Sequence, residues 1–85
     1  MIIKTFFFGP ARDITSTREV EHTTVPEGTH VREYFAEYIL SAYPGLADIV
    51  PSSVLVLNLE YLDPDANPEL SSGDEVGFIP PISGG

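Results

Sequence analysis

Polar and apolar positions along the 85-residue chain fall into a few short blocks with different periods. Residues 2–8 are β-branched and aromatic and end at Gly9-Pro10, so they predict a strand. Side chains alternate along a strand, which puts Ile3, Thr5 and Phe7 on one face and Ile2, Lys4, Phe6 and Phe8 on the other. A lysine rarely points into a core, so the odd-numbered set is the expected inner face. Phe6 and Phe8 then stand on the outer face, where either a helix or loop covers them or they form a protein-contact patch. Residues 9–17 form a connection with room for one helical turn near Ala11 and Ile14. The polar, β-leaning run at 18–25 suits an edge strand paired with the first.

Residues 29–43 predict the one main helix. Thr29 is placed to cap it, and Val31, Tyr34, Phe35, Tyr38, Ile39 and Ala42 follow a 3.6-residue period. This stripe reads as core packing, and Pro44-Gly45 is expected to stop the helix. The nearly continuous apolar run within residues 53–62 predicts a strand covered over most of its length. Residues 63–68 read as a loop and residues 71–74 as a tight turn. Residues 75–79 read as a last strand with Val76 and Phe78 inward and Ile79 outward, ended by Pro80-Pro81. One helix on one face of a mixed sheet is the simplest two-layer α+β solution, and it allows the first and last strands to lie side by side at the centre. If they do, Phe6, Phe8 and Ile79 can form one apolar patch where the last strand ends.

Composition narrows the function. Zero cysteine removes disulfides, thiolate metal sites and any cysteine nucleophile. A formal charge of −9 argues against nucleic acid and anionic membranes as partners and is compatible with a basic protein. Residues 1–8 carry no basic leader and no cleavage site, so the expected compartment is the cytosol. His22 and His30 are lone histidines expected at the surface. Asp63, Asp65 and Glu69 lack calcium-loop spacing, so no metal is expected.

The segment with chemical content is Pro80-Pro81-Ile82-Ser83-Gly84-Gly85. Two prolines favour a stiff, extended exit, Ile82 offers an apolar anchor, and two glycines let a partner's backbone or a nucleotide approach closely. Six extended residues reach at most ~20–22 Å, enough to thread a terminal carboxylate into a neighbouring enzyme. Such a carboxylate has a pKa of ~3.5 and is a poor acyl donor until ATP converts it to an adenylate. The chain has no phosphate-binding loop of its own, so activation would come from another protein.

The run G-D-E-V-G-F-I-P-P-I-S-G-G at 73–85 closely resembles the C-terminal signature of the MoaD/ThiS-like sulfur carriers, the family that includes the small subunit of molybdopterin synthase. Phe6-Phe7-Phe8-Gly9-Pro10-Ala11-Arg12-Asp13, Tyr43-Pro44-Gly45-Leu46 and Asn58-Leu59-Glu60-Tyr61 add supporting likeness. The resemblance implies a ubiquitin-like β-grasp domain over residues 1–79 and an extended tail over 80–85. It implies that Gly85 is adenylated by an E1-like enzyme using ATP, is converted to a thiocarboxylate by a sulfurtransferase, and donates sulfur to cyclic pyranopterin monophosphate. The tail would insert into the large catalytic subunit of molybdopterin synthase, in a heterotetramer. The chain itself would be a non-catalytic donor with no stably bound cofactor. Phe6, Phe8, Ile79, Pro80, Pro81, Ile82, Ser83 and Gly84 are the expected partner-binding residues. Gly77 departs from the pattern, since alanine is commoner there in the family. Three alternatives share the tail chemistry or the fold: a ubiquitin-like modifier of protein lysines, a carrier for thiamine or tRNA thiolation, and an inert interaction domain.

Overall fold

The computed structural model describes residues 1–80. Residues 81–85, and with them the expected roles of Pro81, Ile82, Ser83, Gly84 and Gly85, lie outside the described residues. Five strands form one mixed sheet: β1 (Ile3–Phe7), β2 (Glu19–His22), β3 (Val54–Leu57), β4 (Glu60–Tyr61) and β5 (Glu75–Ile79), in the order β2-β1-β5-β3-β4. β5 runs parallel to β1 and antiparallel to β3, so it is central and paired along both edges. β2 pairs antiparallel with β1 at one edge, and β4 closes a hairpin with β3 at the other.

The helical layer covers one face. A short helix α1 (Pro10–Thr15) follows β1, with Pro10 in the first turn, where a missing N–H costs nothing. The main helix α2 starts as α over Val31–Tyr34 and continues as a π-helical stretch over Phe35–Leu40. Ile3, Thr5 and Phe7 of β1 and Val76 and Phe78 of β5 are buried beneath it, as Lys4 on the opposite face of β1 requires. Val31, Tyr34, Phe35 and Ile39 return the contact from α2, with the Phe35 and Phe78 rings 4.9 Å apart. Each such aliphatic or aromatic side chain contributes about 1.5–3 kcal/mol on burial, and these carry the fold.

Three expectations need correction. Thr29 does not cap α2. Its hydroxyl donates to the Pro26 carbonyl (2.7 Å), and His30 occupies the cap position. The free N–H groups are served from the loop at 63–68: Val31 N donates to the Pro68 carbonyl (2.9 Å) and Arg32 N to Asn67 Oδ1 (2.9 Å). The Arg32 guanidinium holds that loop in place, donating to the carbonyls of Ala66 (2.6 Å) and Asp63 (2.9 Å). Ala42 is exposed, because the wide π turn advances the buried face. Tyr43 is drawn in instead and meets Phe7 edge-on at 5.5 Å. The main helix does end before Pro44-Gly45, with Tyr43 non-helical at φ −130°, and separate 3-10 turns follow over Pro44–Asp48 and Val50–Ser52.

The run at 53–62 is not one covered strand. It reverses at Asn58 and Leu59, both with positive φ (50° and 70°), into the β3–β4 hairpin. Of its apolar residues Leu55 is buried, while Leu59 and Tyr61 are 91% and 75% exposed. A two-residue hairpin turn demands left-handed backbone, and Asn58 is the one residue in the run that favours it.

Candidate functional site

The outer face of the sheet, opposite α2, carries the candidate site. Phe6 and Phe8 continue along β1, Ile79 ends β5, and register places them on one surface. Together they line an open groove of about 380 Å³ that runs along the outer face of β5 from Glu75 to Ile79. Phe8 is half exposed, while Phe6 and Ile79 are partly covered by their neighbours rather than by a helix or loop. Pro80, the first residue after β5, is buried.

The hairpin supplies the wall that the sequence reading missed. Val56, Leu59 and Tyr61 line the groove, and Glu75 closes one end. Asn58 sets the angle of the hairpin. Its backbone N–H donates to the Glu75 carbonyl (2.9 Å), its Oδ1 accepts from the Glu75 N–H (2.9 Å), and its Nδ2 donates to Asp74 Oδ1 (3.0 Å). Asp74 also accepts from the Ser71 N–H through its other oxygen (2.7 Å), so the clamp is rooted in the tight turn before β5. Leu59 therefore projects from a fixed turn at a φ that costs a leucine energy. The signal in the sequence was Asn58 itself, a turn former interrupting an apolar run.

The floor of the groove is Gly77. Its backbone is ordinary strand, and a Cβ added there would lie 3.3 Å from Val56 Cβ and 3.5 Å from Phe8 Cε2. Glu75 lines the groove, and on the same face Glu19 stands exposed opposite Phe6 with Lys4 3.7 Å away.

Behind the sheet lies a separate polar cluster. Thr5 and Tyr34, both buried, share a hydrogen bond of 2.6 Å, and the Tyr34 hydroxyl also meets His22 Nδ1 at 3.1 Å. His22 stands edge-on to the rings of Tyr34 and Tyr38, so it is half-buried packing rather than a free surface side chain. Burial lowers the pKa of His22 from 6.5. Burial also raises that of Tyr34, with the Thr5 hydrogen bond opposing and Tyr38 adding to the rise. His30 lies 3.2 Å from Glu33 on the exposed side of α2. Among the described residues no group of three or more His, Cys, Asp or Glu could hold a metal ion, and no helix is long and apolar enough to cross a membrane.

With this geometry established, comparison with known proteins is informative. A profile of the ThiS family matches residues 6–85. A molybdopterin synthase sulfur carrier subunit of Chlamydomonas reinhardtii is 35% identical over 85 residues, covering all of both chains. The human molybdopterin synthase sulfur carrier subunit is 33% identical over 84 residues, covering 98% of this chain and 93% of that one. Among solved structures, a complex of subunits 1 and 2 of the molybdopterin-converting factor from Helicobacter pylori contains a chain with TM-score 0.69 and 26% identity, both chains covered fully. Small archaeal modifier protein 1 of Haloferax volcanii has TM-score 0.84 at 19% identity, again over the whole of both chains, which is a likeness of fold. The mixed sheet with one main helix is the ubiquitin-like β-grasp arrangement these neighbours share. Matched over nearly its whole length, and similar from end to end to named sulfur carrier subunits, the chain belongs to the ThiS family.

Proposed function

We propose that this chain is the sulfur-carrier subunit of a molybdopterin synthase and that the Gly85 carboxyl group carries the sulfur. The observation behind the reading is one of placement. β5, paired on both edges, carries an apolar groove along its outer face and ends at Pro80, and the sequence continues as Pro81-Ile82-Ser83-Gly84-Gly85, in a chain whose full-length relatives are named sulfur carrier subunits. In the proposed cycle an E1-like enzyme joins the Gly85 carboxylate to AMP from ATP, releasing pyrophosphate. A sulfur nucleophile delivered by a sulfurtransferase then displaces AMP, leaving a C-terminal thiocarboxylate. Docking of the groove on a large catalytic subunit presents that sulfur to cyclic pyranopterin monophosphate. The large subunit supplies the catalytic groups, which suits a chain with 4 basic residues against 13 acidic ones.

The test is intact and fragment mass analysis after incubation with an E1-like enzyme, ATP and a sulfur source. Replacement of one oxygen by sulfur is expected, and it must map to the C-terminal fragment, since oxidation of Met1 gives nearly the same increment. Because the chain has no cysteine, alkylation by iodoacetamide adds an unambiguous mark at a thiocarboxylate. Deletion of Gly85, or extension by one residue, is expected to abolish loading and transfer with little change in stability. Unchanged transfer after either alteration refutes the proposal, and covalent adducts on protein lysines in place of a thiocarboxylate favour a modifier.

A further inference from the structure

The polar cluster on the helix side of the sheet joins three elements through two hydrogen bonds. Thr5 Oγ1 of β1 lies 2.6 Å from Tyr34 Oη of α2, and Tyr34 Oη lies 3.1 Å from His22 Nδ1 of β2. Thr5 and Tyr34 are fully buried, and neither hydroxyl has another partner among the described residues. Each hydroxyl brings one hydrogen, and a neutral imidazole brings one N–H on one of its two nitrogens. Only one order gives both buried hydrogens an acceptor. Thr5 donates to Tyr34, Tyr34 donates to His22 Nδ1, and the imidazole hydrogen sits on Nε2. With a hydrogen on Nδ1 the ring becomes a donor to Tyr34, and one hydroxyl hydrogen, that of Tyr34 or that of Thr5, is left without an acceptor. Protonated histidine carries a hydrogen on both nitrogens, so one added proton breaks the chain.

We infer that the Thr5–Tyr34–His22 chain is a one-way hydrogen-bond latch that holds the edge strand β2 against α2 with His22 as the neutral Nε2–H tautomer, and that protonation of His22 turns its ring out to solvent. The geometry allows that turn. His22 is half-buried, and β2 pairs only with β1. Its ring is held from α2 by edge-on contacts with Tyr34 and Tyr38, at 5.7 and 5.1 Å between centroids. An imidazolium in this place meets no counter-charge. The titratable groups against the ring are Tyr34 and Tyr38. On β1 its register partner is Ile3, and Lys4 stands opposite Glu21, one position along both strands and so on the other face. The connection after β2 opens with the uncharged Thr23, Thr24 and Val25, and the Met1 ammonium donates to the Val25 carbonyl (2.6 Å). His22 joins no ion pair among the described residues. Burial lowers its pKa, and a hydrogen bond accepted by the neutral ring acts in the same direction. The latch lies outside the carrier chemistry proposed above and makes one edge of the sheet acid-sensitive.

The experiment is an NMR titration of the imidazole nitrogens in the full chain from pH 8 to pH 5, on wild type, Thr5→Val and Tyr34→Phe. At pH 8 the His22 ring is expected to carry its hydrogen on Nε2 and none on Nδ1. As pH falls through the folded value, contact between the His22 and Tyr38 rings should disappear while the signals of β5 persist. Tyr34→Phe removes the donor to Nδ1, so the His22 pKa should shift up toward its ordinary value. Thr5→Val leaves the Tyr34 hydroxyl donating to Nδ1, so the pKa should stay low. Tyr34→Phe strands the Thr5 hydroxyl, and if that variant folds poorly the double variant Thr5→Val with Tyr34→Phe gives the same reading. A hydrogen on Nδ1 at pH 8 overturns the latch. So does a His22 pKa that is the same with and without the Tyr34 hydroxyl, or a protonated ring still packed on Tyr38. None of these outcomes bears on loading of Gly85, so the carrier reading stands or falls separately.

Discussion

Replacing Tyr34 with phenylalanine removes a single oxygen, yet the structure predicts a large effect. That oxygen lies at 2.6 Å from the Thr5 hydroxyl and 3.1 Å from His22 Nδ1, and both Tyr34 and Thr5 are fully shielded from solvent. Without it the Thr5 hydroxyl has no partner and no water, while His22, half exposed, can turn to solvent. The lost hydrogen bond and the stranded hydroxyl together cost about 2–3 kcal/mol. Thr5→Val costs less, about 0.5–1.5 kcal/mol, because the Tyr34 hydroxyl keeps His22. In the double variant both hydroxyls are replaced by apolar groups of matching shape, so Thr5→Val added to Tyr34→Phe should restore stability instead of lowering it further. Urea unfolding reads this directly: with a slope of about 1 kcal/mol per M for a domain this small, Tyr34→Phe shifts the midpoint down by about 2–3 M. The reasoning is refuted if Tyr34→Phe unfolds with wild type, or if the two substitutions lower the midpoint additively.

Three further outcomes follow from the same structure. His22 has a pKa lowered by burial, so the unfolded chain binds a proton more readily. The stability it contributes is present above its unfolded value near 6.5 and is lost as pH falls from there through the folded value, and unfolding midpoints of His22→Gln against wild type from pH 8 to pH 5 should show that slope flattened. Leu59→Gly relieves a leucine at φ 70° and removes a side chain that is 91% exposed, so the unfolding midpoint should hold or rise while affinity for the large subunit falls; loss of stability instead would make Leu59 part of the core. Arg32→Ala frees the carbonyls of Ala66 and Asp63 and should cost about 1–3 kcal/mol in urea unfolding, with faster amide exchange at residues 63–68 as the signature of a loosened loop.

Much of the fold was legible because single residues decided it. Lys4 fixed the inner face of β1, the alternation of Val76 and Phe78 fixed that of β5, and the glycine and proline punctuation separated the elements. The joint placement of Phe6, Phe8 and Ile79 followed from setting β1 beside β5. What escaped was non-local or disguised. The cap of α2 comes from Asn67, 35 residues away, so Thr29 was credited with it. A π turn leaves no mark on a 3.6-residue stripe, which misplaced Ala42. The hairpin at Asn58-Leu59 was hidden because apolarity signals burial by default, and here the apolar residues form an exposed groove wall.

The last strand separates the core of this small domain from the groove proposed as its docking surface. Along β5 the even residues Val76 and Phe78 anchor the core beneath α2, while Glu75, Gly77 and Ile79 face the groove. Both edges of the strand are hydrogen-bonded, to β1 and to β3, so its end is fixed by the fold before any partner arrives. A partner that grips the groove therefore spends little on ordering the strand that leads to the reactive segment, which is where preorganisation yields affinity. On the docking proposed above, the exposed Leu59 should affect partner binding and have little effect on folding. The core tyrosine and threonine on the other face should behave in the opposite way.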